Sequence, residues 1–162
     1  MASNLLAGGQ SVTVFDLSPS ALSAVEKNGA KIASSVTDSS ITSASSIITM
    51  LPSSPHVSET VNKIIETGNV KPGTTFIDSS TIDPSVSKAL SDQVAGIGCT
   101  MIDAPVSGGV GGAENGTLTF MAGCRDAKDL DSVRELFDIM GSNLVHTGGP
   151  GTGCMAKVSE SF

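Results

Sequence analysis

Residues 74–97 read TTFIDSSTIDPSVSKALSDQVAGI. Thr74–Ile77 is a short apolar run without alternation, the pattern of a strand covered on both faces. Asp78, Ser79, Ser80 and Thr81 break the run with four hydrogen-bonding side chains. Asp83-Pro84 then starts a helix predicted over Asp83–Ile97, with an aspartate N-cap and a proline at the first helical position, where its missing N–H does no harm. A buried strand leaving through polar residues into a helix is half of a βαβ unit.

The same unit recurs outward along the chain. Strands are expected at Ser11–Phe15, Lys31–Ala33, Ile47–Leu51, Thr100–Ile102, Leu118–Met121 and Leu144–His146. Helices are expected at Pro19–Asn28, Pro55–Thr67 and Asp126–Met140. The fold class is therefore α/β, a doubly wound and mainly parallel sheet. Met1–Ala7 has the composition of a helix, and Thr152–Val158 looks like the first turns of another. A helix ahead of the first visible strand calls for a strand upstream of it. Residues 1–162 thus read as one incomplete domain.

Composition narrows the function. The net charge is −7 with only nine basic residues, which disfavours nucleic-acid or anionic-membrane surfaces. No apolar run approaches the roughly 20 residues that span a bilayer. Cys99, Cys124 and Cys154 share no metal-ligand spacing, so neither a disulfide framework nor a metal site is expected. Aromatic residues are 3% of the chain, too few for base-stacking platforms. A small-molecule protein of a reducing compartment remains.

Several residues could carry its chemistry. Asp16 ends the strand SVTVF, where an acidic residue in a dinucleotide fold accepts the adenosine ribose hydroxyls and repels a 2′-phosphate; a helix cap would also explain it. Thr49–Ser54 and Asp78–Thr81 leave strand ends, where ligands of open sheets lie, although a turn and a cap serve equally. Asp103–Ala113, rich in glycine, fits neither G-x-G-x-x-G nor the P-loop; a carboxylate nest or a flexible turn are its readings. Lys157, near a helix start, sits badly with the helix dipole and suits proton exchange, though surface lysines are common. His56 is expected to cap a helix and His146 to be half-buried in a strand. Cys154 reads as a small buried thiol.

Together, TMLPSS (49–54), FIDSSTIDP (76–84), DAPVSGGVGGAENGTLTFMAG (103–123) and GPGTGCMAK (149–157) resemble the β-hydroxyacid dehydrogenase family, and within it the 3-hydroxyisobutyrate dehydrogenases. The resemblance implies a Rossmann-type domain binding NAD, with NADP less favoured. It also implies a helical C-terminal domain that completes the site and a homo-oligomer. By position, Asp16 would meet the ribose. Met50, Leu51, Pro52, His56, Ser80 and Thr81 would contact the cofactor. Ser107, Gly108 and Gly109 would hold the substrate carboxylate, and Lys157 would be catalytic. The implied reaction is oxidation of 3-hydroxyisobutyrate to methylmalonate semialdehyde, a step of valine breakdown in the mitochondrial matrix.

Departures from the family pattern accompany the likeness. Its first strand and glycine loop are absent, and Met1 matches a position about one turn into the following helix. The asparagine one turn after the lysine is replaced by Ser161, within a tail, VSESF, unlike the family's. The helical domain and a presequence are also missing, so the expectation is a truncated product, cytoplasmic as it stands. Two alternatives accompany this reading: a related tartronate semialdehyde or glyoxylate reductase, and a folded module without activity. A phosphogluconate-type substrate is disfavoured because no basic cluster accompanies Ser107–Gly109.

Overall fold

Residues 1–160 are described by a computed structural model, and Ser161, with the asparagine replacement it carries, lies outside the described residues. In chain order the elements are α1 (Ala2–Ala7), β1 (Thr13–Val14), α2 (Pro19–Glu26), β2 (Lys31–Ile32), α3 (Ser39–Thr42) and β3 (Ser46–Thr49). There follow α4 (Ser54–Glu66), β4 (Thr75–Asp78), α5 (Pro84–Gly96), β5 (Thr100–Asp103), β6 (Val106–Ser107) and α6 (Gly109–Asn115). The chain continues through β7 (Leu118–Gly123), α7 (Lys128–Asp131), α8 (Arg134–Met140), β8 (Gly141–Gly148) and α9 (Thr152–Glu160). Proline at the first turns of α2, α4 and α5 matches the sequence signals, and Asp83 caps α5 by accepting the Ser85 N–H at 2.8 Å.

Strands β3, β4 and β5 pair in parallel, which sets Thr49, Asp78 and Asp103 at one level across the sheet. Asp103 also faces Gly123, while β6 pairs antiparallel with β7. Strands β5 and β6 are thus two pieces of one extended path, interrupted at Ala104-Pro105, and β6 carries Ser107 past the end of β4. Strand β8 lies parallel to β7 on its other side. Strands β1 and β2 form a separate parallel pair, and among the described residues β3 ends the larger sheet. The expected mainly parallel α/β architecture holds, with the sheet divided between β1 and β3.

All four residues of β4 are buried, as its unbroken apolar pattern requires. Phe76 and Met101 point into a core with Val57, Val61 and Ile64 of α4 and Leu90 and Val94 of α5. Ile77 and Ile102, one residue on, point to the opposite face against Leu5, Leu130, Phe137 and Met140. Helices therefore cover both faces of the strands, and Phe120 packs edge-on to Phe137 with ring centroids 4.9 Å apart.

Three local expectations are corrected. The glycine-rich block is not a flexible turn: Gly109–Asn115 is helical, entered through Gly108 (φ 131°) and Gly109 (φ 62°), which only glycine adopts readily. Its Gly112 packs where a Cβ would stand 3.2 Å from the Leu118 side chain. The single helix expected at Asp126–Met140 breaks at Ser132-Val133 into α7 and α8. His146 lies in β8 as expected but is exposed rather than half-buried. The three cysteines are free and buried, and burial pushes the Cys154 thiol up to about 12.

Candidate active site

The carboxyl ends of β3 and β4 are fastened to each other by side chains. The Thr49 hydroxyl donates to Asp78 Oδ1 at 2.8 Å, and the Ser80 N–H donates to the same oxygen at 3.1 Å. The Ser80 hydroxyl in turn accepts the Leu51 N–H at 2.8 Å. The Met50–Pro52 and Ser80–Thr81 turns therefore leave the sheet side by side, with Met50, Pro52 and Thr81 exposed along the rim. His56, on the first turn of α4, holds Ser53 through Nδ1 at 2.7 Å and faces solvent.

Asp78 is almost wholly buried, and its Oδ2 has no hydrogen-bond partner among the described residues. Burial raises its carboxyl above the ordinary value of 3.8, outweighing the hydrogen bonds from Ser80 and Thr49. Asp103 is shifted in the same direction by the same cause. A folded-state value above the unfolded one contributes stability that is fully present below about 3.8 and lost as pH rises through the folded value. Ionising either carboxyl at neutral pH thus costs the folded chain stability relative to its protonated form. The denaturant midpoint is expected to rise as pH falls from neutrality toward 3.8, and to rise less in Asp78→Asn. Asp83, held low by the Ser85 hydroxyl and N–H, works the other way, losing its contribution as pH falls through its folded value. A urea series across this pH range reads the difference between the two chains; equal slopes would remove Asp78 from the account.

Asp103 does a second job. Its Oδ1 accepts the Gly151 N–H at 2.7 Å and its Oδ2 the Cys154 N–H at 2.9 Å. These are orphan donors of the first turn of α9, so a carboxylate from β5 caps that helix from 51 residues away. Close packing there needs Gly123, where a Cβ would lie 2.6 Å from Asp103 Oδ1. Lys157 follows one turn beyond Cys154, and its Nζ donates to Glu160 at 2.8 Å. The Ser107 hydroxyl also favours the ionised form of that carboxylate, after the larger effect of Lys157. Lys157 thus holds its own helix's carboxylate, 50 positions along the sequence from Ser107.

Asp16 stands apart, exposed at the end of β1, where Oδ1 accepts the Ser18 N–H at 2.7 Å. Its ordinary role as a turn cap is therefore real. A second carboxylate oxygen remains at the surface, as a ribose contact requires. The residues present fit a dinucleotide along the carboxyl edge, from Asp16 past the Met50–Pro52 turn to Ser107. A cleft of about 290 Å³ lies between α1 and α6, lined by Met1, Asn4, Val110 and Ala113 among others. The roles of Thr49, Asp78, Asp103 and Glu160 went unread in the sequence. For Asp78 and Asp103 a signal existed, since each is an acid closing an apolar strand.

Residues 1–148 match the family described as the NAD-binding domain of 6-phosphogluconate dehydrogenase. The chain belongs to this family. Its fold is thus an NAD-binding one, and the relatives of this NAD-binding domain are dehydrogenases. Mitochondrial 3-hydroxyisobutyrate dehydrogenase of Mus musculus is 44% identical over 165 residues, covering 100% of this chain and 48% of the relative. The NAD-dependent L-serine dehydrogenase of Pseudomonas aeruginosa is 42% identical over 99% of this chain and 54% of its own. In structure, Mycobacterium tuberculosis 3-hydroxyisobutyrate dehydrogenase with L-serine superposes with a TM-score of 0.91 and 34% identity, over 98% of this chain and 53% of that one. This NAD-binding chain therefore spans about half the length of the relatives it matches. Among its described residues no helix is long and apolar enough to cross a membrane, and no cluster of potential metal ligands occurs.

Proposed function

We propose that residues 1–162 form the dinucleotide domain of an NAD-dependent 3-hydroxyisobutyrate dehydrogenase, oxidising the hydroxyacid to methylmalonate semialdehyde. The observation that carries this reading is the 44% identity to the mouse enzyme over the whole of this chain, which supports the pairing of Ser107 with Lys157 that the motifs give. That pairing is what a short hydroxyacid needs, one group for its carboxylate and one for its hydroxyl. Bound NAD supplies the hydride acceptor. Ser107, with the backbone of Gly108 and Gly109, holds the substrate carboxylate. Lys157 Nζ takes the hydroxyl proton as the C–H bond gives up its hydride. Asp16 selects NAD by meeting the ribose hydroxyls and repelling a 2′-phosphate. Met50, Leu51, Pro52, His56, Ser80 and Thr81 line the cofactor site.

The named relatives of mouse and Dictyostelium discoideum are mitochondrial proteins, which supports a mitochondrial matrix location for the complete enzyme. Met155 and Val158, exposed apolar residues on α9, suit cover by a further domain or a second subunit of a homo-oligomer. A serine-type hydroxyacid is the second reading, favoured by the 42% identity to the L-serine dehydrogenase.

The test is a thermal melt of the chain with NADH, followed by turnover of 3-hydroxyisobutyrate and L-serine. NADH at 100 times its Kd is expected to stabilise by ~2.7 kcal/mol, or about 5–11 °C for a chain of this size. Lys157→Ala keeps that shift and abolishes turnover. A melt indifferent to NADH would overturn the cofactor assignment, and faster L-serine oxidation would replace the substrate.

A further inference from the structure

The backbone pairing of β3 with β4 reaches Ser79, whose N–H donates to the Thr49 carbonyl at 2.8 Å. Around that point side chains take over the pairing. Asp78 Oδ1 accepts the Thr49 hydroxyl at 2.8 Å and the Ser80 N–H at 3.1 Å, and the Ser80 hydroxyl accepts the Leu51 N–H at 2.8 Å. Thr49, Asp78 and Ser80 are buried, whereas Met50, Pro52 and Thr81 on the same two turns are exposed. Asp78 is therefore covered from a ligand lying along the rim and acts on one only through the turns. Two loops that had to be ordered on binding would subtract that cost from the affinity. A buried carboxyl is an expensive way to join them. Only one of its oxygens is used, since Oδ2 has no hydrogen-bond partner among the described residues. The carbonyl oxygen of an asparagine could accept the same two bonds.

We propose that Asp78 is a positioning residue for the cofactor: its Oδ1 latches the Met50–Pro52 turn to the Ser80–Thr81 turn before the dinucleotide arrives. This inference rests on the reading of those turns as the cofactor site. The latch is a relay, running from Thr49 through Asp78 to Ser80 and on to Leu51. Removing the Thr49 hydroxyl cuts the side-chain tether of Asp78 to β3. Removing the Asp78 carboxyl frees Ser80 as well, and the Leu51 N–H then depends on a hydroxyl that is no longer held in place.

The experiment measures NADH affinity by fluorescence, and hydrogen exchange of the Leu51 amide, well below the melting temperature of each chain. Thr49→Val, which keeps the shape and loses the donor, and Asp78→Ala are each expected to weaken NADH binding about tenfold, the scale of ordering one or two groups. Both should also speed exchange at Leu51. Asp78→Asn, which keeps Oδ1, is expected to restore both readings to those of the parent chain. A lower melting temperature with unchanged affinity in Thr49→Val and Asp78→Ala would make the network merely structural and overturn the proposal. Equal losses in Asp78→Asn and Asp78→Ala would assign the effect to the charge, which also overturns it. If Asp78→Ala does not fold, Thr49→Val and Asp78→Asn decide by the same criteria. Absence of NADH binding in the parent chain, with Leu51 still protected there, would overturn the cofactor reading and the inference with it.

Discussion

Gly153→Ala is expected to lower the melting temperature by about 6–12 °C, the equivalent of ~3 kcal/mol in a chain of this length. Gly153 lies in the first turn of α9, where its backbone meets β5 and β7 without a side chain between them. A Cβ there would collide with the Met121 carbonyl oxygen, and would come within 2.6 Å of the Asp103 carbonyl oxygen. Both are backbone atoms of strands in the core of the sheet, so neither can rotate away. The helix must retreat instead, carrying Lys157 with it. Gly96→Ala is the counter-experiment, because a Cβ at the end of α5 meets nothing within 4 Å. That variant should gain up to ~1 kcal/mol from reduced freedom of the unfolded chain. Calorimetry on the two variants separates close packing from helix propensity. A neutral Gly153→Ala would mean that α9 is not seated on the sheet as described.

The second large effect is expected of Asp103→Ala, about 2–4 kcal/mol in urea denaturation. The substitution leaves the Gly151 and Cys154 N–H groups buried without an acceptor, and each such orphan costs ~1–3 kcal/mol. Removing a buried carboxylate offsets part of that loss, since burial is what raises the Asp103 carboxyl. Hydrogen exchange is the discriminating readout. The amides of 151 and 154 should lose protection far more than those of β4, whose bonds the change does not touch. Uniform loss across the sheet would indicate general unfolding, with no special role for Asp103 at the start of α9.

Much of this architecture could be read from the chain. Unbroken apolar runs such as Thr74–Ile77 mark strands covered on both faces, and Asp83-Pro84 or Ser18-Pro19 mark helix starts, because those signals are local. The Met50–Pro52 and Ser80–Thr81 turns were legible as strand exits for the same reason. Strand β6 has no signal in the sequence because two residues, Val106 and Ser107, carry no period. Helix α6 runs against propensity, with Gly109, Gly111 and Gly112 among its seven residues. It forms because Gly112 fits against Leu118, a contact that composition does not announce. The seating of α9 on Asp103 joins positions 48 and 51 residues apart, and no window along the chain contains both partners.

The division of the sheet has a dynamic consequence. The segment β1–α2–β2 buries little: α2 has no buried residue and β2 is exposed at both positions. Its ties to the rest include Val12 against the main core and a 3.3 Å hydrogen bond from Asn28 to Ser3. Segments with so little cohesion open at a small fraction of the global unfolding free energy. Asp16 belongs to this segment, whereas Leu51, Ser80 and Ser107 stand on the interlocked strands of the larger sheet. A dinucleotide reaching from one to the other would act as a strap across the gap. Amides of residues 11–33 would then slow their exchange on binding while those of β4 and β5 stay as they were. The adenosine end of the ligand would organise its own receptor, and the rest would find one already built.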